Sequence, residues 1–438
     1  MIVVPQGHQV LKYLLLGIYI LQISFMVINK DRLNMNKTIF ILFLFYAFVG
    51  LSFGCYGLFV GNPGASAIMK LTIFYLFISM FFVMGINNIY VLKRLNRIII
   101  FSSIFLSIYI IISILNANSL WPDWLYYDIS GKYASQGVSV GSLSRIGRFD
   151  IGFSSLPSYL FLQPYLFTFL LVGKTNNRKL LWVALILSTF IMAFSGARIL
   201  LIIGFLFPLL IVSYLKFFSN NQFQNFKNIK HVIVILCCFI IIASIMMIPL
   251  GFRIDSYFID IINAFRPYEL TNIVEGGTSA SAYSGMTLTP NRRVTQFGIL
   301  LSNWWEKPLF GFGSGSVAFF NNGEQYLRSS SEPWKYELTY MQFLHHWGIV
   351  GIGAYILGFF YTFKSLIKIF NKDPVYGPYA LAAFFGSFAF LIGSSINPYI
   401  TRFDSIYTMF IPIAIMNAWY VNRRSEYNYF NKSHRILH

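Results

Sequence analysis

A few charged residues in this chain are of a type and in a place to do chemistry. Arg198 heads an apolar run directly after Ser195-Gly196-Ala197. Arg292 and Arg293 stand together in a long polar stretch. Glu337 precedes Tyr340 and His345 at the head of another apolar run. Arg402 lies in the short turn Asn397-Pro398-Tyr399-Ile400-Thr401-Arg402-Phe403-Asp404. A guanidinium presents a planar fork of donors that suits the oxygens of an anion, phosphate above all. A carboxylate can accept a proton or polarise a hydroxyl. No metal-binding pattern accompanies them: the chain has no Asp-x-Asp, and neither a His-x-x-x-His nor a cysteine lies near His345 and His346.

The elements that must hold these residues are apolar helices. The 438 residues are 56% hydrophobic, 19% aromatic and only 11% charged, against about 25% charged in a soluble domain. Apolar runs of about 20 residues recur, the length that crosses a hydrocarbon core. They lie near 10–28, 38–60, 67–86, 98–115, 155–173, 180–195, 197–218, 231–251, 340–363, 376–397 and 404–421. The expected fold is therefore an all-α, polytopic membrane protein with about 11 transmembrane helices (10 to 12). The strands of an outer-membrane barrel would alternate over about 10 residues, and no such pattern occurs.

The net charge of +18 follows from topology and calls for no nucleic-acid partner. Lys30, Arg32 and Lys37 fall in one connecting segment. Lys93, Arg94 and Arg97 fall in another, as do Lys174, Arg178 and Lys179. Lys216, Lys227 and Lys230 follow, then Lys364, Lys368 and Lys372, then Arg423, Arg424, Lys432 and Arg435. These alternate segments hold 19 of the 33 Lys and Arg residues, and the positive-inside rule makes them cytoplasmic. The chain then divides into spans one to eight over 1–251, with an outer loop at 116–154; a large outer loop over 252–339, partly helical, between spans eight and nine; spans nine to eleven over 340–421; and a basic cytoplasmic tail over 422–438. No removable signal peptide is evident, because Lys12 is the only early charge and no small-residue cleavage site follows.

Against that frame the candidate residues keep two readings each. Arg198 sits where a charge within hydrocarbon costs about 2.5–3.5 kcal/mol on insertion scales. It is either an anion ligand facing the bundle interior or an interfacial arginine reaching headgroups. Arg402 pairs with Asp404 or with the outer loop. A helix begun at Glu337 carries Tyr340, Met341, Leu344, Gly348 and Gly351 within about 60° of it, and the two glycines permit close helix contact. His345 and His346 are ligand contacts or packing residues. Gly311-Phe312-Gly313-Ser314-Gly315 follows Pro308 rather than a strand, so it reads as a tight turn at a helix end and not as a nucleotide fingerprint. Cys55, Cys237 and Cys238 fall inside apolar spans and read as buried, reduced packing residues.

Three patches together resemble the O-antigen polymerases and O-antigen ligases of bacterial envelopes. Ser195-Gly196-Ala197-Arg198 is similar to the family's Ser-x-Ser/Ala-Arg at the head of a span. Arg293, Phe297 and Pro308-Leu309-Phe310-Gly311-Phe312-Gly313 are similar to an Arg, an aromatic four residues on, and Pro-Leu-x-Gly-x-Gly. Tyr340-Met341-Gln342-x-Leu344, with Gly348-Ile349-Val350-Gly351, is similar to Tyr-Leu-Gln-x-Leu and Gly-Ile-Ile-Gly after the large loop. The ligases carry His-Asn just before that Tyr-Leu-Gln; here Glu337-Leu338 stands there, which favours the polymerase.

The resemblance implies a metal-independent glycosyltransferase without a cofactor, working at the periplasmic face of the inner membrane. Its substrate would be an oligosaccharide on undecaprenyl pyrophosphate. Its surroundings would be membrane lipids, and a chain-length regulator protein would be an allowed partner. In that expectation Glu337 serves the acceptor hydroxyl, and Arg198 and Arg293, with Arg292 beside it, hold the pyrophosphate. Tyr340, His345 and Arg402 are candidates for further substrate contacts. Two other readings stay open: a ligase moving the finished glycan to lipid A core, and a lipid or solute transporter.

Overall fold

The structure is a computed structural model. It describes residues 34–117, 156–173, 177–194, 198–218, 289–320, 322–326, 332–395, 397–401, 405 and 407–436, with a few isolated positions besides. The regular structure among these is helical: α1 Lys37–Val60, α2 Ala65–Gly85, α3 Ile89–Ala117, α4 Tyr159–Val172, α5 Arg178–Phe194, α6 Arg198–Phe218, α7 Thr289–Glu306, α8 Thr339–Lys372, α9 Gly377–Gly393 and α10 Tyr407–Ile436. One isolated antiparallel bridge, Phe319 to Gln325, is the sole β pairing among them. Helices thus occupy nine of the apolar stretches read from the sequence. The stretches 10–28 and 231–251 lie almost wholly outside the described residues. By length and composition α1, α2, most of α3 and α8 can each cross a membrane, and Leu156–Val172, Ile202–Phe217 and α9 are shorter apolar helices.

Local chemistry sets the helix ends. Asn36 caps α1 by accepting from the Thr38 N–H at 2.9 Å. Gly61, at φ 82°, closes the same helix with its N–H on the last-turn carbonyls, and the chain turns straight into α2. Asp373 Oδ1 accepts from the N–H groups of Val375 and Tyr376, so one carboxylate organises the turn between α8 and α9.

The core forms around α4, which is buried on nearly every side. A helix apolar all round belongs inside a bundle. It packs antiparallel on α9: Leu160 and Phe161 at its start lie on Gly393 and Gly386, and Phe169 at its end meets Tyr379 near the start of α9, with centroids 5.0 Å apart. A Cβ on Gly393 would come within 2.5 Å of Leu160, so glycine sets that helix separation. α6 runs opposite to α9 as well. Phe207 meets Phe388, and Tyr214, further along α6, meets Phe385 and Phe370.

These contacts sort the connecting segments to two ends of the bundle. At one end Asn417 accepts from Asn36 N–H and donates to the carbonyls of Asn34 and Val83, and Trp419 Nε1 donates to Asp373 at 3.0 Å. Arg423 lies over the Trp419 ring. Lys37 and Lys372 are sequence neighbours of these groups. At the other end the α1–α2 turn meets residues 312–315, and Arg293 meets Glu337 and Asn397. Arg198 heads α6 at this second end.

One expectation fails. Cys55 is exposed rather than buried: it lies on a face of α1 that the described residues do not cover. Cys237 and Cys238 lie outside the described residues.

Candidate functional site

The site is assembled from α7, the segment 332–338 that leads into α8, and the turn after α9. Arg293 lies near the start of α7. Its Nε donates to Glu337 Oε2 at 3.0 Å, and its Nη2 donates to Asn397 Oδ1 at 3.3 Å. The structure brings Arg293 and Glu337, read from the sequence as candidates with different jobs, into one ion pair, with side-chain exposures of 37% and 16%. The carboxylate is the more sheltered partner, and the guanidinium opens to the surroundings.

Glu337 is held by its backbone too. Gln296, one turn beyond Arg293 and 1% exposed, accepts from the N–H groups of both Glu337 and Leu338, at 2.9 and 3.0 Å. Leu338 precedes α8 and has no side chain able to cap it. A glutamine from another helix therefore supplies the acceptor. Behind it, Tyr336 N–H donates to Gln342 Oε1, and the Tyr336 hydroxyl accepts from Ala318 N–H at 2.7 Å. Burial pushes the Tyr336 phenol above its ordinary range. Asn303 brackets Phe319, accepting from its N–H and donating to its carbonyl. The Tyr340 hydroxyl donates to Leu391 O at 2.6 Å, tying the first turn of α8 to the end of α9.

The glycine-rich turn explains how this layer joins the bundle. Gly348, at φ 60° and ψ −168°, interrupts α8. The turn after Pro308 enters the interruption. Ile349 N–H donates to Pro308 O, Val350 N–H to Leu309 O, Phe312 N–H to His345 O and Gly313 N–H to His346 O, all within 2.8–3.0 Å. A Cβ on Gly348 would lie 2.3 Å from Leu309 O, and one on Gly311 would lie 2.5 Å from His345 O. On its far side the turn seats on α1 and α2: Ser314 N–H donates to Phe53 O, Gly64 N–H to Gly315 O, and Asn62 Nδ2 to Phe312 O. The unbroken stripe from Glu337 to Gly351 therefore does not form. Gly348 serves a backbone-to-backbone clasp, while Gly351 does give close approach, to Phe53.

His345 and His346 belong to this clasp. His345 Nδ1 lies 3.2 Å from Ser316 Oγ and its ring stacks on Phe312. His346 Nε2 lies 3.1 Å from Ser316 O. Both rings are closed off from solvent, so of the two readings for His345 the geometry supports packing.

Arg198 begins α6 at the same end of the bundle as the ion pair. Its side chain and that of Arg292, and the whole of Arg402, lie outside the described residues. Gln296 and Asn397 were not singled out as site residues by the sequence reading. Gln296 shares a face with Leu300 and Asn303, spaced i, i+4, i+7; polar residues at core-facing positions were the available signal. Among the described residues no three His, Cys, Asp or Glu gather into a metal-binding group.

Chemically the arrangement offers a guanidinium with open surface beside a carboxylate of fixed position, both at one end of an apolar bundle. No protein-family model, curated protein or solved structure matches this chain.

Proposed function

We propose that this chain is a glycan polymerase of the O-antigen kind, joining repeat units carried on undecaprenyl pyrophosphate. In this reading it crosses the bacterial inner membrane eleven times, with its N-terminus outside, its C-terminus in the cytoplasm and residues 252–339 on the periplasmic side. The segregation of Lys37, Lys372 and Arg423 to the end opposite the ion pair supports that orientation.

The observation that carries the proposal is the Arg293–Glu337 pair, at the end where Arg198 begins α6. The donor's diphosphate needs cationic donors to stabilise the charge that grows as it leaves. Arg293 can turn from Glu337 towards those oxygens, with Arg198 and Arg292 as its companions. Glu337 then accepts the proton of the acceptor sugar's hydroxyl. That oxygen forms a bond to the anomeric carbon, and the carbon–phosphate oxygen bond breaks, its electron pair leaving with the lipid diphosphate. Gln296 keeps the carboxylate in place through the exchange. The Glu337 position, where a ligase of the resembled family would carry histidine, favours polymerisation over transfer to lipid A core.

Deletion of the encoding gene tests the reading. A surface polysaccharide reduced to single repeat units is the expected phenotype. Lipid-linked polymer that is never transferred would identify a ligase instead, and repeat units accumulating on the cytoplasmic side would identify a transporter.

A further inference from the structure

Helix α7 carries a second surface that the site does not use. Gln296, Leu300 and Asn303 point into the protein. On another face, spaced four residues apart, Phe297, Leu301 and Trp305 are exposed, Trp305 by 73%. The stripe runs on into the turn that follows, where Leu309 and Phe310 are 59% and 57% exposed. A third face carries the exposed Ser302 and Glu306. An apolar face of this length on a helix of polar mean composition is the pattern of a helix lying in a membrane interface.

What covers the stripe is indicated by what it continues into. Leu309 accepts the Val350 N–H and Pro308 the Ile349 N–H. Ile349 and Val350 are themselves exposed, at 52% and 45%, on α8, a helix apolar and long enough to cross a membrane. The apolar band is therefore continuous from the outward face of a candidate span onto α7. Lys307 is exposed at the end of that helix and Arg293 opens to the surroundings near its beginning, which suits anionic headgroups. A tryptophan prefers the same boundary. A second copy of the chain fits poorly. Eighteen residues of helix extend about 27 Å at 1.5 Å per residue, and a stripe about 10 Å wide falls well short of the roughly 800 Å² per partner of a stable interface.

We infer that α7 and the Leu309–Phe310 turn are seated in the bilayer, with Phe297, Leu301 and Trp305 in the acyl–headgroup boundary, so that Arg293 is held at the depth of the lipid phosphates. The inference rests on α8 crossing the membrane and does not depend on the glycosyl-transfer reading.

The test is nitroxide accessibility in lipid nanodiscs. Cys55, Cys237 and Cys238 are first replaced by serine. A label is then placed singly through Phe297→Cys, Leu301→Cys, Trp305→Cys, Ser302→Cys or Glu306→Cys. The ratio of oxygen to nickel-chelate accessibility should be several-fold higher at 297, 301 and 305 than at 302 and 306. Equal ratios at all five positions overturn the proposal. So does protection of the stripe from both reagents with label–label broadening, which would point to a second copy. Oxidative footprinting of the unsubstituted chain in the same nanodiscs guards against misfolded variants: Trp305 should be protected while the exposed Phe319, whose main chain is held by Asn303 on the inward face of α7, is modified. Modification of both overturns the inference independently.

Discussion

Two clusters of polar side chains lie within a few turns of each other around the start of α8, and they are built on opposite principles. The one around Ser316, His345, His346 and Trp347 is neutral in character and closed: Trp347 Nε1 donates to Ser314 Oγ at 2.9 Å, and both imidazoles are buried. The one around Glu337 is charged and half open. Burying a charge costs far more than burying a neutral group. A fold that needs only cohesion therefore uses the first kind. The second kind is kept where an ion must be met. The contrast separates two candidate site residues: His345 belongs to the closed cluster, and Glu337 pairs with Arg293 in the half-open one.

The sharpest way to break this comparison is Glu337→Gln. Under the proposed function, a reconstituted assay of polymer formation should show the rate lowered by about 10²–10⁴-fold, the loss expected when a general base is removed. A partly exposed ion pair contributes only about 0–1 kcal/mol, so the melting temperature in detergent should hardly move. A variant that melts early and keeps its rate would reverse the roles of the two clusters. Gly348→Ala acts on the other side of the contrast. It places a Cβ against Leu309 O at a backbone angle that side chains avoid, and should destabilise by about 3 kcal/mol or more, read as a large drop in melting temperature and in folded yield.

Gln296→Ala probes the join between the clusters. It strands the N–H groups of Glu337 and Leu338, and a buried unsatisfied donor costs about 1–3 kcal/mol. Stability and rate should fall together here, unlike in Glu337→Gln. The smallest effect is expected of Ser316→Ala, which removes one hydroxyl facing His345. About 1 kcal/mol should be lost, with the rate per folded molecule unchanged, a result that thermal denaturation beside a single-turnover assay would resolve.

Much of this was legible in the sequence because long apolar helices announce themselves. Runs such as 38–60 and 376–397 are long and apolar enough to cross a membrane, and in hydrocarbon a run has little option but to be a helix, since unpaired backbone is prohibitive there. The helix start near Tyr340 was equally readable, from the onset of an apolar run, as was the turn at Gly311–Gly315, from glycine and proline chemistry. The break at Gly348 was not. Gly-Ile-Val-Gly inside an apolar run is also the signature of close helix packing, and only the arrival of residues 308–313 from another part of the chain decides between the two. The Arg293–Glu337 contact was hidden for the same reason: each residue carried its own chemical meaning, and nothing local marks a partner that distant. Cys55 shows the converse, since an apolar span does not tell which of its faces meets protein.

The clasp at Gly348 has a consequence for how this protein can vary. Its bonds run between main-chain groups of residues 308–313 and 345–350. Side chains at Leu309, Phe310, Ile349 and Val350 therefore contribute no hydrogen-bonding atom to it and can change without loosening it, provided the surface they present keeps its polarity. The glycines have no such latitude. Mutational scanning of this region should divide into a few intolerant positions, Gly311, Gly313, Gly315 and Gly348, set among permissive neighbours, so that the coupling between the outer layer and the bundle survives extensive drift in everything around it.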